Sequence, residues 1–131
     1  MVLKEPELFA FLKEFYYPDI YMSDEKFSKY DCISVKSRAY IELKSRNTHY
    51  DDLLIEKVKY DAIVKQATER ELTPYYINST PQGVWSFNLK LKVFKDIKWE
   101  ERWLPAKTEF PSGGNKTKVI GYLHIKDGKQ L

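Results

Sequence analysis

An acid at position 31, an acid at 42 and an amine at 44 are the residues of this sequence whose types and spacing most clearly suggest chemistry. Metal-assisted cleavage of a phosphodiester needs carboxylates to hold one or two divalent ions. It also needs a nearby cation, to neutralise charge building on the transition state or to orient the attacking water. Asp31, Glu42 and Lys44 are groups of those kinds. Glu42 and Lys44 are two apart, so in a strand they project to one side while Leu43 points to the other. The same three residues also read as a solvated salt-bridge ladder across a hairpin, an ordinary arrangement. Against the ladder, Ile33 and Val35 share the face of Asp31 and are expected to be buried. That sets the carboxylate at the edge of a core, where an unpaired charge is costly.

For the three side chains to meet, the β-rich runs Asp31–Val35 and Ala39–Lys44 must form a hairpin across the polar Lys36-Ser37-Arg38. If Val35 pairs with Arg38 across a two-residue turn, Asp31 lies opposite Glu42. If Val35 pairs with Tyr40 across a four-residue turn, Asp31 lies opposite Lys44. An odd-length loop puts Asp31 on the wrong side, so the site makes a strict demand on turn parity. Before the hairpin, Leu8, Phe11, Leu12 and Phe15 recur at helical spacing, which predicts a helix over Glu5–Phe15 with Pro6 in its first turn and Pro18 closing it. Asp19 to Tyr30 reads as loop plus a short strand. After the hairpin, His49 to Arg70 is the longest helical pattern, with Tyr50, Leu53, Leu54, Val58, Ala62, Ile63 and Ala67 on its apolar face. Thr48 is its expected N-cap, and Asp51 and Asp52 suit the positive end of the helix. Two further strands, Thr73–Ile77 and Gly83–Leu91, are joined through a turn at Asn78–Gln82. The remainder predicts a short helix around Asp96 to Trp103, a loop at Pro111–Asn115 and a last strand at Lys118–Ile125.

The run Tyr30-Asp-Cys-Ile-Ser-Val-Lys36, followed by Tyr40-Ile-Glu-Leu-Lys-Ser-Arg46, resembles the signature of PD-(D/E)XK nucleases, and its trailing Lys-Ser-Arg is similar to that of archaeal Holliday-junction resolvases. The resemblance implies an α/β fold with a restriction-endonuclease-like core of helix, three antiparallel strands, helix and strand. That core would span about residues 5–91, followed by a β-rich extension over about 92–131. It also implies Asp31 and Glu42 as ligands of Mg2+ or Mn2+, Lys44 as the cation that positions or activates water, and an acid of the first helix completing the metal site. Glu7 is taken for that acid, with Glu14 second. Two departures stand out. Tyr30 precedes Asp31 where the family name promises proline, and Gln66 is followed four residues later by Arg70, not by the tyrosine of RecB-like members. The implied activity is a DNA endonuclease, structure-specific or resolvase-like, of the compact stand-alone kind found in phage and mobile elements, with dimerisation as the route to cutting two strands. A non-catalytic nucleic-acid-binding module with the same fold is the alternative.

From Lys36 to Arg46 there are four basic residues and one acidic one, so Lys36, Arg38 and Arg46 suit a phosphate backbone, and Lys57, with Lys59 and Lys65, extends that track. The lysines equally read as a solvated helix face. Trp85, Trp99, Trp103, Tyr75 and Tyr76 could stack bases, but in a chain that is 15% aromatic they are expected to be core, as is Tyr60. Ser112-Gly-Gly-Asn-Lys-Thr117 lacks the first glycine of a phosphate-binding loop and reads as a turn. His49 and His124 with one cysteine make no zinc pattern. At 131 residues with 43% hydrophobic content, one domain is expected. A net charge of +3 is compatible with a nucleic-acid partner without requiring one. The lone Cys32 sits in an apolar alternation and reads as a buried thiol. No apolar run reaches membrane-spanning length and charges interrupt the first residues, so the expected location is the cytoplasm.

Overall fold

A computed structural model describes residues 2–23, 30–105 and 115–131. The first helix, α1 (Glu5–Phe15), forms as its periodicity predicts, with the Lys4 amide donating to Glu7 Oε1 at 3.0 Å and Pro6 in the first turn. Its Leu8 and Leu12 are fully buried, each side chain contributing about 2 kcal/mol of transfer free energy. A two-residue strand, β1 (Tyr21–Met22), then pairs with β2 (Asp31–Ser34), which pairs with β3 (Ala39–Ser45), both antiparallel. The β2–β3 ladder sets Asp31 opposite Glu42, the register of the two-residue-turn alternative. Ser34 Oγ and the Lys36 amide both donate to the Asp19 carboxylate, at 2.6 and 3.0 Å, which ties the turn to the segment after α1. Those two hydrogen bonds hold the Asp19 carboxyl below the usual carboxylate range.

The helix expected from His49 to Arg70 divides in two. Residues 52–56 are a strand, β4 (Asp52–Glu56), and α2 covers Lys57–Glu69. In β4, Leu53 and Ile55 are buried between less buried neighbours, a period of two. Its partner is β8 (Asn115–His124), with Leu53 opposite Leu123 and Ile55 opposite Gly121. A strand more than fifty residues downstream thus overrides a local pattern compatible with either period. Tyr50 is exposed and Val58, assigned to the apolar helix face, is 75% exposed. Thr48 lies well before the helix, whose N-cap position is Glu56.

After α2 the chain enters β5 (Thr73–Thr80), parallel to β3, and returns in β6 (Gly83–Asn88). β5 runs three residues further than expected, to Thr80, while β6 starts at Gly83 as expected and ends three residues early; only Pro81-Gln82 lie between paired Thr80 and Gly83, whose φ of 139° favours glycine. A four-residue helix, α3 (Lys92–Lys95), precedes β7 (Glu100–Pro105). The helix predicted around Asp96 to Trp103 is therefore replaced by extended chain, because β7 is paired along its length with β8. A last strand, β9 (Lys129–Gln130), adds to β6. Of the loop predicted at Pro111–Asn115, residues 111–114 lie outside the described residues.

The result is mixed α/β. A six-stranded mixed sheet runs in the order β1-β2-β3-β5-β6-β9, and a three-stranded antiparallel sheet runs β4-β8-β7. Leu8 and Leu12 of α1 pack with Cys32, Ile41, Leu43 and Ile77 on one face of the large sheet. Ile63 and Ala67 of α2 pack on the other face with Ile33, Tyr40, Tyr76 and Phe87, joined by Leu53, Ile55 and Leu123 from the small sheet. Ile33 is buried as expected, whereas Val35 is exposed at the hairpin turn. Among the described residues, no helix is long and apolar enough to cross a membrane.

Two expected outcomes test this packing. A Cβ on Gly121 would collide with Ile97 Cγ2 and come within 3.0 Å of the Trp99 ring. Gly121→Ala should therefore lower stability by about 1–3 kcal/mol in denaturant unfolding, and an unchanged midpoint would show that residues 97–99 do not cover β8. Burial, reinforced by the Asp31 charge, pushes the Cys32 thiol up to about 12. A disulfide reagent at pH 8 should leave the native thiol unmodified and titrate it fully in guanidinium; rapid native labelling would contradict the placement.

Candidate active site

The hairpin register decides what β3 can present. Because Asp31 and Glu42 are directly opposed, their side chains share a face, with Cβ atoms separated by about 5 Å in such pairs. The Tyr40 hydroxyl, on the same face of β3, donates to Asp31 Oδ2 at 2.5 Å. Lys44, two residues beyond Glu42, completes that face. Asp31 is 9% exposed and Glu42 6% exposed, so both carboxylates are nearly withdrawn from water. Carboxylates this buried destabilise a fold unless they are compensated. For Glu42 the compensation includes Lys59, in the first turn of α2, whose Nζ lies 2.5 Å from Glu42 Oε1.

Glu42 and Lys44 open onto a cavity of about 340 Å3 where β3 leaves the sheet. Among the described residues, three carboxylates line it, Glu5 from the start of α1, Glu42, and Glu56 from the end of β4. Three described cations line it as well, Lys44, Arg46 and Lys59, with walls from Tyr30, Leu43, Leu54 and Tyr76. The position follows from topology. β3 and β5 run parallel, and clefts in α/β sheets form beyond the carboxyl ends of such strands. Here α1 reaches the rim from one face of the sheet and α2 from the other. Asp31 is not among the lining residues and lies behind Glu42 on β2.

The cavity shapes its cations differently. Partial burial, then the like charge of Arg46, lowers the Lys44 ammonium from its ordinary range, Lys59 adding to the effect, while Glu5 and Glu56 oppose it. Arg46 is fixed within the protein, its Nε donating to Asn78 Oδ1 and its Nη2 to the Leu54 carbonyl, both at 2.5 Å. It thereby ties β3 to β5 and β4. The Tyr76 hydroxyl, 3.4 Å from the same guanidinium, is raised by burial despite that charge.

The structure brings together Asp31, Glu42, Lys44 and Arg46 and separates the other residues singled out from the sequence. Glu7 is exposed, and its carboxylate closes the N-terminus of α1; Glu5 is the helix acid that lines the cavity. Glu14 is exposed. Lys36 and Arg38 sit in the hairpin turn, six or more residues from Lys44 along an extended strand, on the order of 20 Å. Lys57 pairs with Asp61 at 2.7 Å and stands over the Trp99 ring outside the cavity. Lys36, Arg38 and Lys57 thus do not line the cavity. Trp85 is core and Trp99 packs against Tyr60, while Trp103 is exposed on β7. Glu5 and Glu56 escape a reading of the sequence because no local motif marks a cavity wall. Lys59 stands two residues into a helix whose start was expected eight residues earlier, which scrambles the phase of its face. No protein family, curated protein or solved structure was found to match the chain.

A folded-state pKa below 10.5 for Lys44 means that the unfolded chain holds the extra proton in the window between the two values. The charged lysine therefore weakens the fold fully below its folded-state pKa, and the cost disappears above 10.5. Lys44→Met should unfold at the same or higher temperature than the wild type at pH 7, with the advantage shrinking towards pH 11. A variant less stable at pH 7 than at pH 11, relative to wild type, would refute the strained ammonium.

Proposed function

We propose that the chain is a metal-dependent nuclease hydrolysing DNA phosphodiester bonds, a structure-specific or resolvase-like endonuclease of the PD-(D/E)XK type. The observation that carries the reading is the β2–β3 register, which aligns Asp31 with Glu42 and puts Lys44 on the same face at the mouth of a charged cavity. The element order supports it: a helix, an antiparallel meander of β1, β2 and β3, a second helix, then β5 parallel to β3. A restriction-endonuclease-like core is built in that order, here with β4 inserted before the second helix.

The donor set suits a hard divalent cation. Mg2+ and Mn2+ accept one or two carboxylates and fill their remaining positions with water, and Asp31 and Glu42 are the pair that would hold such an ion. Among the described residues no cluster of three or more His, Cys, Asp or Glu gathers, and the proposed set drawn from them is two carboxylates completed by solvent. A bound ion supplies Lewis acidity and a water of lowered pKa. The protein's own groups do the rest. Lys44, its proton loosened by its surroundings, faces a phosphoryl oxygen or the attacking water, and Arg46, braced by Asn78 and Leu54, keeps β3 at a fixed distance from β4. Severing two strands calls for two copies of the chain on one DNA.

A second reading is a non-catalytic nucleic-acid-binding module, favoured by the engagement of both acids within the protein, Glu42 by Lys59 and Asp31 by Tyr40. Mn2+-dependent nicking of supercoiled plasmid and of branched DNA separates the two. The wild type should cut, and Glu42→Gln and Lys44→Met should each lose about 100-fold or more in rate. Cleavage that survives both substitutions removes the site assignment, and binding of DNA with no cleavage of any substrate selects the second reading.

A further inference from the structure

Lys59 combines exposure and reach in an unusual way. Its side chain is 45% exposed, yet its ammonium sits on a carboxylate that is 7% exposed, so the aliphatic stem passes over the cavity rim and delivers the charge inward. Lys44 belongs to the same strand face as Glu42 and is the nearer lysine in sequence, but the ion pair at 2.5 Å goes to Lys59, on another element. An ammonium pressed against a buried carboxylate meets the electrostatic need that a divalent cation would meet there. A second acceptor stands close by. Glu56 occupies the N-cap of α2, three residues before Lys59, and residues three apart on a helix surface are neighbours. Glu56 lines the same cavity, is partly exposed, and is paired with Lys118 at 3.2 Å.

We infer that Lys59 is a built-in stand-in for the divalent ion: its ammonium holds Glu42 in the metal-free protein and must be displaced from it when metal binds. This rests on the metal-site reading of Asp31 and Glu42 proposed above. The exchange moves no proton and breaks no covalent bond; one cation replaces another on Glu42 Oε1, and the ammonium shifts towards Glu56 and the cavity mouth. Two consequences follow. Lys59 sets the affinity for metal by competition, and the displaced ammonium becomes available to a phosphate only after the ion is in place. Lys59 is in this sense a positioning residue, acting through Glu42.

Direct Mn2+ binding, by calorimetry and by loss of the free-ion paramagnetic resonance signal, tests the inference without reference to cleavage. Lys59→Met should bind Mn2+ about three- to tenfold more tightly than the wild type, the range expected from removing a half-exposed ion pair. Lys59→Arg, which keeps the charge, should bind no more tightly than the wild type. Lys59→Gln serves as a second neutral variant whose amide can still donate to Glu42 and support the fold, and it should also bind more tightly. Equal or weaker Mn2+ affinity in both neutral variants, with intact thermal unfolding, overturns the role of Lys59 and leaves the metal site standing. Absence of Mn2+ uptake by the wild type and both neutral variants at millimolar concentration overturns the metal reading itself.

Discussion

The hydrogen-bonded ladder between β2 and β3 is the constraint on which the remaining geometry depends. Side chains alternate along a strand, so slipping this ladder by one residue would set Asp31 opposite an apolar neighbour of Glu42 and turn one strand's side chains to the opposite face. Several features guard against the slip. Ile33 and Tyr40 are committed to the core under α2, and Cys32, Ile41 and Leu43 to the core under α1. With both faces buried, either direction of slip would strand apolar groups. Asp19 adds a local clamp by accepting hydrogen bonds from Ser34 and Lys36, where β2 enters the turn. Register is thus over-determined by packing, and the alignment of the two acids comes with it.

From that ladder the charges at the sheet's edge acquire their meaning. Glu42 is placed where little water reaches it, which favours a cation beside it, and one arrives from the first turn of α2. Lys44, on the same face, is lowered by partial burial and by Arg46, while Arg46 is itself absorbed in bracing three strands. A cavity edged, among the described residues, by three carboxylates and three cations is poorly explained by stability alone, since an apolar rim of the same volume would fold at least as well. Concentrated, partly desolvated charge of both signs is what chemistry on an anion with a divalent ion requires. The proposed chemistry and stability would pull against each other most directly at Lys44.

Strand β4 enlarges the architecture in a way that matters for the cavity. By leaving the large sheet and pairing with β8, it forms a second sheet whose end supplies Leu54 and Glu56 to the cavity wall. The C-terminal region therefore contributes to the cavity by holding β4 in place, although none of its described residues lines it. Lys118, on β8, reaches Glu56 and extends this influence to the N-cap of α2.

What the sequence by itself determined is what short-range pattern determines. The periodicity of Leu8, Phe11, Leu12 and Phe15 was sufficient for α1, the two β-rich runs for the hairpin, and the spacing of Glu42 and Lys44 for their common side. Asp31 joined them once turn parity was even. Only tertiary structure decided the fate of residues 49–56, because Leu53 fits a helical face with Leu54 and an alternating one with Ile55, and the choice was made by β8. It likewise decided that Glu5 and not Glu7 borders the cavity, that Lys36 and Arg38 lie remote from it, and that Lys59 reaches Glu42 from across the rim. The physical reason is common to all of these. Dihedral preferences and residue spacing act over one or two turns of chain, whereas which charge meets which depends on how separately formed elements close on one another, and no local pattern encodes that distance.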